Sequence, residues 1–153
     1  MPVEPAERLE ELLDHVLDAC NVDGDVEVDE DQETLRANVD GDDLGLLIGR
    51  HGQTIDALEH LAARIAFQGE TARKRVVIDA AGYRERRAEV LERQADRAVE
   101  EAVQYARPVA LDAMVASERR VVHEYLRDRR DVETYSEGEE PDRHLVVAPV
   151  IAD

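Results

Sequence analysis

The sequence predicts an α+β fold made of two small units that share a long helix. Three observations carry that reading. Apolar residues recur at helical spacing over about residues 5–20 and again from Gln53 to Ile65. Short alternating runs between Val26 and Val39, and between Val132 and Val147, have the period of strands. An Ala-, Glu- and Arg-rich stretch from Gly82 to Arg107 reads as one long helix that Pro108 stops.

In the first unit, Leu9, Leu12, Leu13, Val16, Leu17 and Cys20 form one helical stripe, which places Cys20 as a small buried residue rather than a reactive thiol. Asp23-Gly24-Asp25 is a turn signal, and Val26/Val28 and Leu35/Ala37/Val39 mark two strands separated by an acidic loop, Asp29–Glu33. Leu44–Ile48 reads as a short apolar helix ending at Gly49, and the next helix puts Ile55, Leu58, Leu61, Ala62 and Ile65 on one face. After a turn at Gly69, Arg73–Asp79 reads as a strand with a buried Val76-Val77-Ile78 centre. In the second unit the long helix carries a thin stripe of Ala88, Leu91, Ala95, Ala98 and Ala102. Val109–Leu111 is a short strand, and Ser117 is the expected cap of a helix over about 118–129. Val132–Ser136 and Arg143–Val147 form a hairpin around a Glu137–Pro141 turn. The expected domains are 1–81 and 82–153.

Charge is uneven. The chain of 153 residues has a formal charge of −18, but residues 1–43 hold 16 acids and 2 bases, whereas residues 44–80 hold 4 acids and 5 bases. Eighteen of the 19 basic residues are Arg, which suits bidentate phosphate contacts. Four Tyr, one Phe and no Trp argue against modules that stack bases on aromatic platforms. No apolar run approaches the roughly 20 residues of a membrane helix, and the acidic N-terminus lacks a signal-peptide pattern. The expectation is a cytoplasmic protein without membrane insertion. The acidic third is expected on the face away from any polyanion site.

The most informative stretch is Leu47-Ile48-Gly49-Arg50-His51-Gly52-Gln53-Thr54-Ile55. Two glycines enclose two residues between an apolar and an amphipathic helix, so the backbone can approach a phosphate chain without obstruction by Cβ. The N–H groups of Gln53 and Thr54, at the start of the second helix, supply donors and the positive dipole end. Arg50 adds a permanent charge, His51 adds a donor, and apolar neighbours such as Ile48 can pack on bases. This pattern, in the order helix–strand–strand–helix–helix–strand, resembles the K-homology (KH) family in its type II form over about residues 5–81. The resemblance implies a groove that clamps about four single-stranded nucleotides.

In the second unit Arg119 and His123 are four residues apart and share a helix face with Arg120 alongside, and Arg143 enters from the hairpin. By spacing alone, a solvated basic face paired with Glu118, Glu124 and Asp128 is the favoured reading. With the Ser136-Glu137-Gly138-Glu139-Glu140-Pro141 stretch, the segment resembles the Arg-x-x-x-His (R-three-H) domain, a single-stranded nucleic-acid module. The two units in this order are similar to the Jag (SpoIIIJ-associated) family of bacterial RNA-binding proteins. That resemblance implies an RNA chaperone or post-transcriptional regulator that affects cell elongation and envelope homeostasis, and pairing with a small single-KH-domain protein. The N-terminal domain of many members is missing from this sequence. His144 stands where members often have a second Arg after the Pro, which weakens that contact.

Catalysis finds little support. His123-Glu124-x-x-Arg127 lacks the second His of a zinc protease motif, and no His, Cys and acid spacing recommends a metal site. The expectation is therefore no catalytic residue, no metal and no cofactor. The alternatives left open are a protein–protein adaptor with a degenerate KH loop, which the acidic N-terminal third would suit, and a single-stranded DNA binder.

Overall fold

A computed structural model describes residues 3–151; residues 1–2 and 152–153, at the outer ends of the two expected domains, lie outside the described residues. The chain forms two compact units that divide between Arg84 and Glu85. Helices and sheets are mixed in both, giving an α+β fold.

The first unit runs α1 (Pro5–Ala19), β1 (Asp25–Glu30), β2 (Thr34–Asp40), α2 (Gly45–Ile48), a 3₁₀ turn (Arg50–Gly52), α3 (Gln53–Ala66) and β3 (Arg75–Ala80). Pro5 opens α1 in its first turn, where a missing N–H costs nothing. The sheet order is β1-β2-β3, with β1 antiparallel to β2 and β2 parallel to β3. A parallel pair needs a crossover connection, and here α2 and α3 supply it. In β2, Leu35, Ala37 and Val39 are buried and alternate with exposed Arg36, Asn38 and Asp40. Leu9, Leu13 and Leu17 of α1 and Ile55, Leu58, Ala62 and Ala66 of α3 join the core that covers this face.

Four expectations change here. Cys20 is exposed rather than buried, because α1 ends at Ala19 and Asn21 turns the chain away at a φ of 53°. Leu61 is 48% exposed. The buried stripe of α3 follows Ile55, Leu58, Ala62 and Ala66, and Leu61 stands about 100° around the helix from Ala62. Asp29 and Glu30 continue β1 opposite Arg36 and Leu35, so the acidic loop shrinks to 31–33. Within it, Asp31 Oδ1 accepts the backbone N–H groups of Glu33 and Thr34, both at 2.8 Å, which hold its carboxyl below the usual range. β3 is shifted along the chain and ends at Ala80.

One side chain organises the end of this unit. Arg84 donates from Nε to the Ile78 carbonyl (2.8 Å), from Nη1 to Asp56 (2.9 Å) and from Nη2 to Glu59 (2.7 Å). Glu59 in turn accepts the Ile78 N–H at 2.9 Å, and the Ala80 N–H meets Asp79 Oδ1 at 2.8 Å.

The second unit takes up α4 (Tyr83–Tyr105) after its first two residues, then β4 (Val109–Ala110), α5 (Ala116–Leu126), β5 (Val132–Glu137) and β6 (His144–Pro149). The sheet order is β4-β6-β5, antiparallel throughout, with Val109 opposite Val147 and Tyr135 opposite Val146. The core joins Leu91, Ala95, Val99 and Ala102 of α4 to Val122, Leu126, Val132, Leu145 and Val147. Ala88 is only half-buried. The expected Ser117 cap is not the N-cap: Val115 occupies that position in extended conformation, and Ser117 lies in the first turn of α5, which ends at Leu126. β6 begins at His144, so Arg143 belongs to the turn.

Candidate nucleic-acid interface

The loop between α2 and α3 is built on backbone that only glycine adopts readily. Gly49 has φ 72° and ψ −177°, and a Cβ there would strike the Thr54 side chain and lie 2.9 Å from the Thr54 nitrogen. Gly52 is buried in the left-handed region at φ 76°, with its pro-Cβ position 2.8 Å from Tyr83 Cε1. Between them His51 holds φ 53° and ψ 30°, a left-handed conformation that costs a non-glycine residue about 1–2 kcal/mol. The loop therefore combines conformational demand at both glycines with close support from the Tyr83 ring.

Its outer surface is open. Arg50, His51, Gln53 and Thr54 are exposed, and Ile48 and Gly49 are half-buried. Among the described residues, no ion pair or side-chain hydrogen bond engages Arg50 or His51. Among the described residues no side chain caps the N-terminus of α3; Gln53 N–H meets the Arg50 carbonyl, and the positive end of the helix dipole faces the loop. The one acid in that turn, Asp56, is bound by Arg84 at 2.9 Å. Leu46 on α2 and Leu61 on α3 expose 64% and 48% of their surface, offering apolar area on both flanking helices.

In the second unit, Arg119, Arg120, His123 and Arg143 line one cavity of about 360 Å³ together with Thr134 and Tyr135. Their states differ. Arg119 is buried, donating from Nη1 to the Met114 carbonyl at 2.8 Å and pairing through Nη2 with Glu140 at 2.9 Å. His123 shares a hydrogen bond of 2.5 Å between Nδ1 and Thr134 Oγ1, which orients the ring. Arg120 is exposed and bonds Glu124 through Nε at 3.0 Å, and this contact holds the Glu124 carboxyl below its ordinary range. Arg143 donates to the Gly138 carbonyl at 2.7 Å. Glu118 does not neutralise this face: it is buried and takes a two-nitrogen contact from Arg87 at 2.6 and 3.2 Å. His144 turns to the hairpin, with Nε2 3.5 Å from Glu137.

The structure thus brings Ile48, Gly49, Arg50, His51, Gly52, Gln53 and Thr54 together in one loop, and Arg119, Arg120, His123 and Arg143 together in one cavity. Sequence reasoning missed Tyr83 beneath Gly52 and Thr134 beside His123, which have no local spacing signal. The acids of the N-terminal third do not all lie away from the loop. Asp23, Asp25, Asp40, Asp42 and Asp43 line a cleft that reaches Leu46 of α2. Among the described residues, no three His, Cys, Asp or Glu are grouped to hold a metal ion, and no helix is long and apolar enough to cross a membrane.

Residues 6–78 match the KH domain of the KhpA/KhpB family, and residues 89–149 match the R-three-H domain. Among curated proteins, the chain is 39% identical over 140 residues to the RNA-binding protein KhpB of Clostridium symbiosum, covering 90% of this chain and 63% of that protein. It is 38% identical over 133 residues to KhpB of Lactiplantibacillus plantarum, covering 87% of this chain and 41% of the relative. Against KhpB of Bacillus subtilis it is 32% identical over 148 residues, covering 95% and 71%. The chain therefore spans less than two thirds of the length of the first two relatives.

Proposed function

Because the chain belongs to the KhpB family, we propose that it is a non-catalytic protein that binds single-stranded RNA and acts as an RNA chaperone or post-transcriptional regulator. The observation that carries this reading is the Gly49–Gly52 loop: two glycines at positive φ where a Cβ would clash, two exposed side chains, Arg50 and His51, that have no side-chain partner among the described residues, and the positive end of α3 beside them. In this reading the phosphate chain runs close against Gly49 and Gly52, where no Cβ stands in its way, and past Gln53 and Thr54 at the positive end of α3, Arg50 and His51 add charge and donors, and Ile48 meets a base. Arg119, Arg120, His123 and Arg143 form the second contact surface.

The first unit takes the type II KH arrangement over about 1–81, and the second the R-three-H arrangement over about 82–153. The protein works in the cytoplasm, with a small single-KH-domain protein as partner. The aspartate-lined cleft favours a second reading, an adaptor for a basic protein. Titration of a labelled single-stranded RNA pool at several salt concentrations separates the two. Two to four phosphate contacts give a log–log slope of about −1.4 to −2.8, while an adaptor binds no RNA even at low salt. The same titration with single-stranded DNA, run on the parent and on a variant with Arg50 and His51 replaced by aspartate, decides whether the second unit distinguishes the sugar.

A further inference from the structure

We infer that the Glu140 carboxylate holds the place of a phosphate on Arg119, so that the second unit carries an internal competitor for its own ligand; this rests on the reading of that cavity as a phosphate-binding surface. Arg119 is anchored from the inside. Its Nη1 bonds the Met114 carbonyl at 2.8 Å, and the Met114 N–H bonds the Arg143 carbonyl at 3.2 Å, so the guanidinium is fixed to backbone that also positions Arg143. Its Nη2 faces the other way and meets Glu140 Oε1 at 2.9 Å.

The two partners are unequal. The Arg119 side chain is 10% exposed and the Glu140 side chain 59% exposed. When the pair opens, the carboxylate returns to water with little desolvation to recover, whereas the guanidinium stays in place on Met114 and needs a new anion. A phosphodiester oxygen has the charge and the acceptor geometry to supply it. It would arrive among Arg120, His123 and Arg143, which line the same cavity. Glu140 sits in the turn between β5 and β6, outside both strands, so it can swing away without breaking the strand ladder. The pair also tunes specificity. An anion must bring more than one negative oxygen's worth of contacts to displace a carboxylate already present, which disfavours isolated monoanions against a continuous phosphate chain.

The test uses the full chain and a labelled single-stranded RNA pool, read by fluorescence anisotropy. Glu140→Gln removes the competitor and should tighten binding about two- to fivefold, the scale of an exposed ion pair. Glu139→Gln makes the same change of charge in the adjoining residue, which makes no side-chain ion pair among the described residues, and should tighten it clearly less. Glu140→Asp keeps the charge but withdraws it by one methylene, and should fall between the parent and Glu140→Gln; it stands in if Glu140→Gln melts early. Glu140→Gln equal to or weaker than the parent overturns the inference while the parent's own binding leaves the proposed function standing. Equal gains from both glutamine variants overturn it too, since only the overall field then matters. A parent that binds no RNA sinks both.

Discussion

Replacing Arg50 and His51 together by aspartate separates recognition from folding. Both side chains are exposed and neither has an internal partner among the described residues, so no folded-state contact is lost. His51 sits at φ 53°, a region Asp tolerates better than most residues. The stability change should stay within about 0.5 kcal/mol, a shift in Tm of about 1–2 °C for a chain of this length. Binding should respond very differently. A hydrogen bond to a charged group contributes about 1.5–3 kcal/mol, so two such contacts replaced by repulsion give at least about 3 kcal/mol, roughly a 100-fold weaker Kd. Two lost phosphate contacts also flatten the log–log salt slope by about 1.4. Anisotropy titrations of a single-stranded RNA pool at three or more salt concentrations, with thermal melts of the same samples, measure both quantities. A double variant that melts and binds like the parent would refute the assignment of this loop to the phosphate backbone.

Gly52→Val forces a Cβ to within 2.8 Å of Tyr83 Cε1 at a φ of 76°, and should destabilise the first unit by about 2–3 kcal/mol. Urea melts check this, and Gly69→Val, at φ 83° in open space, should show only the conformational part. For acid stability, Asp31 has its carboxyl lowered by the Glu33 and Thr34 N–H groups. A carboxyl lowered by folding contributes stability that is present above its unfolded value and is lost as pH falls through its folded value. Asp31→Asn should therefore reduce stability near neutral pH and flatten the loss of stability below about pH 4; parallel melts from pH 7 to pH 2.5 that stay a constant distance from the parent would contradict it.

The parts legible in the sequence are those whose cause is local. Gly49 and Gly52 are required by their own backbone angles, and Arg119 and His123 share a face because of helical pitch. Alternation in β2 and the stripe of α1 likewise reflect periods read along the chain. What stayed hidden depends on residues far apart. Arg84 reaches Asp56 and Glu59 across 28 and 25 residues, Tyr83 supports Gly52, and Glu118 turns to Arg87 rather than to its helix neighbours. Cys20 failed for a different reason: its spacing fits the stripe, but the helix stops one residue short of it. Arg119 shows both sides. Its place beside His123 follows from spacing, but its attachment to Met114 and Glu140 does not.

The contacts of Glu59, Asp79 and Arg84 with the backbone of Ile78 and Ala80 bear on how copies of this protein can meet. β3 is one margin of its sheet, and a bare margin is a template for another chain. Here side chains already occupy the Ile78 N–H and C=O and the Ala80 N–H, groups that a newcomer would need, so addition along that end of β3 is obstructed. β1 is the opposite margin, and Asp25, Glu27, Asp29 and Glu30 line it. Two copies meeting there would set carboxylates against carboxylates across a strand spacing of about 4.8 Å. With β3 obstructed at Ile78 and Ala80, a copy that did pair at β1 would present the same obstructed margin on its far side. Both margins of this sheet therefore disfavour the open-ended stacking of copies that builds a fibre.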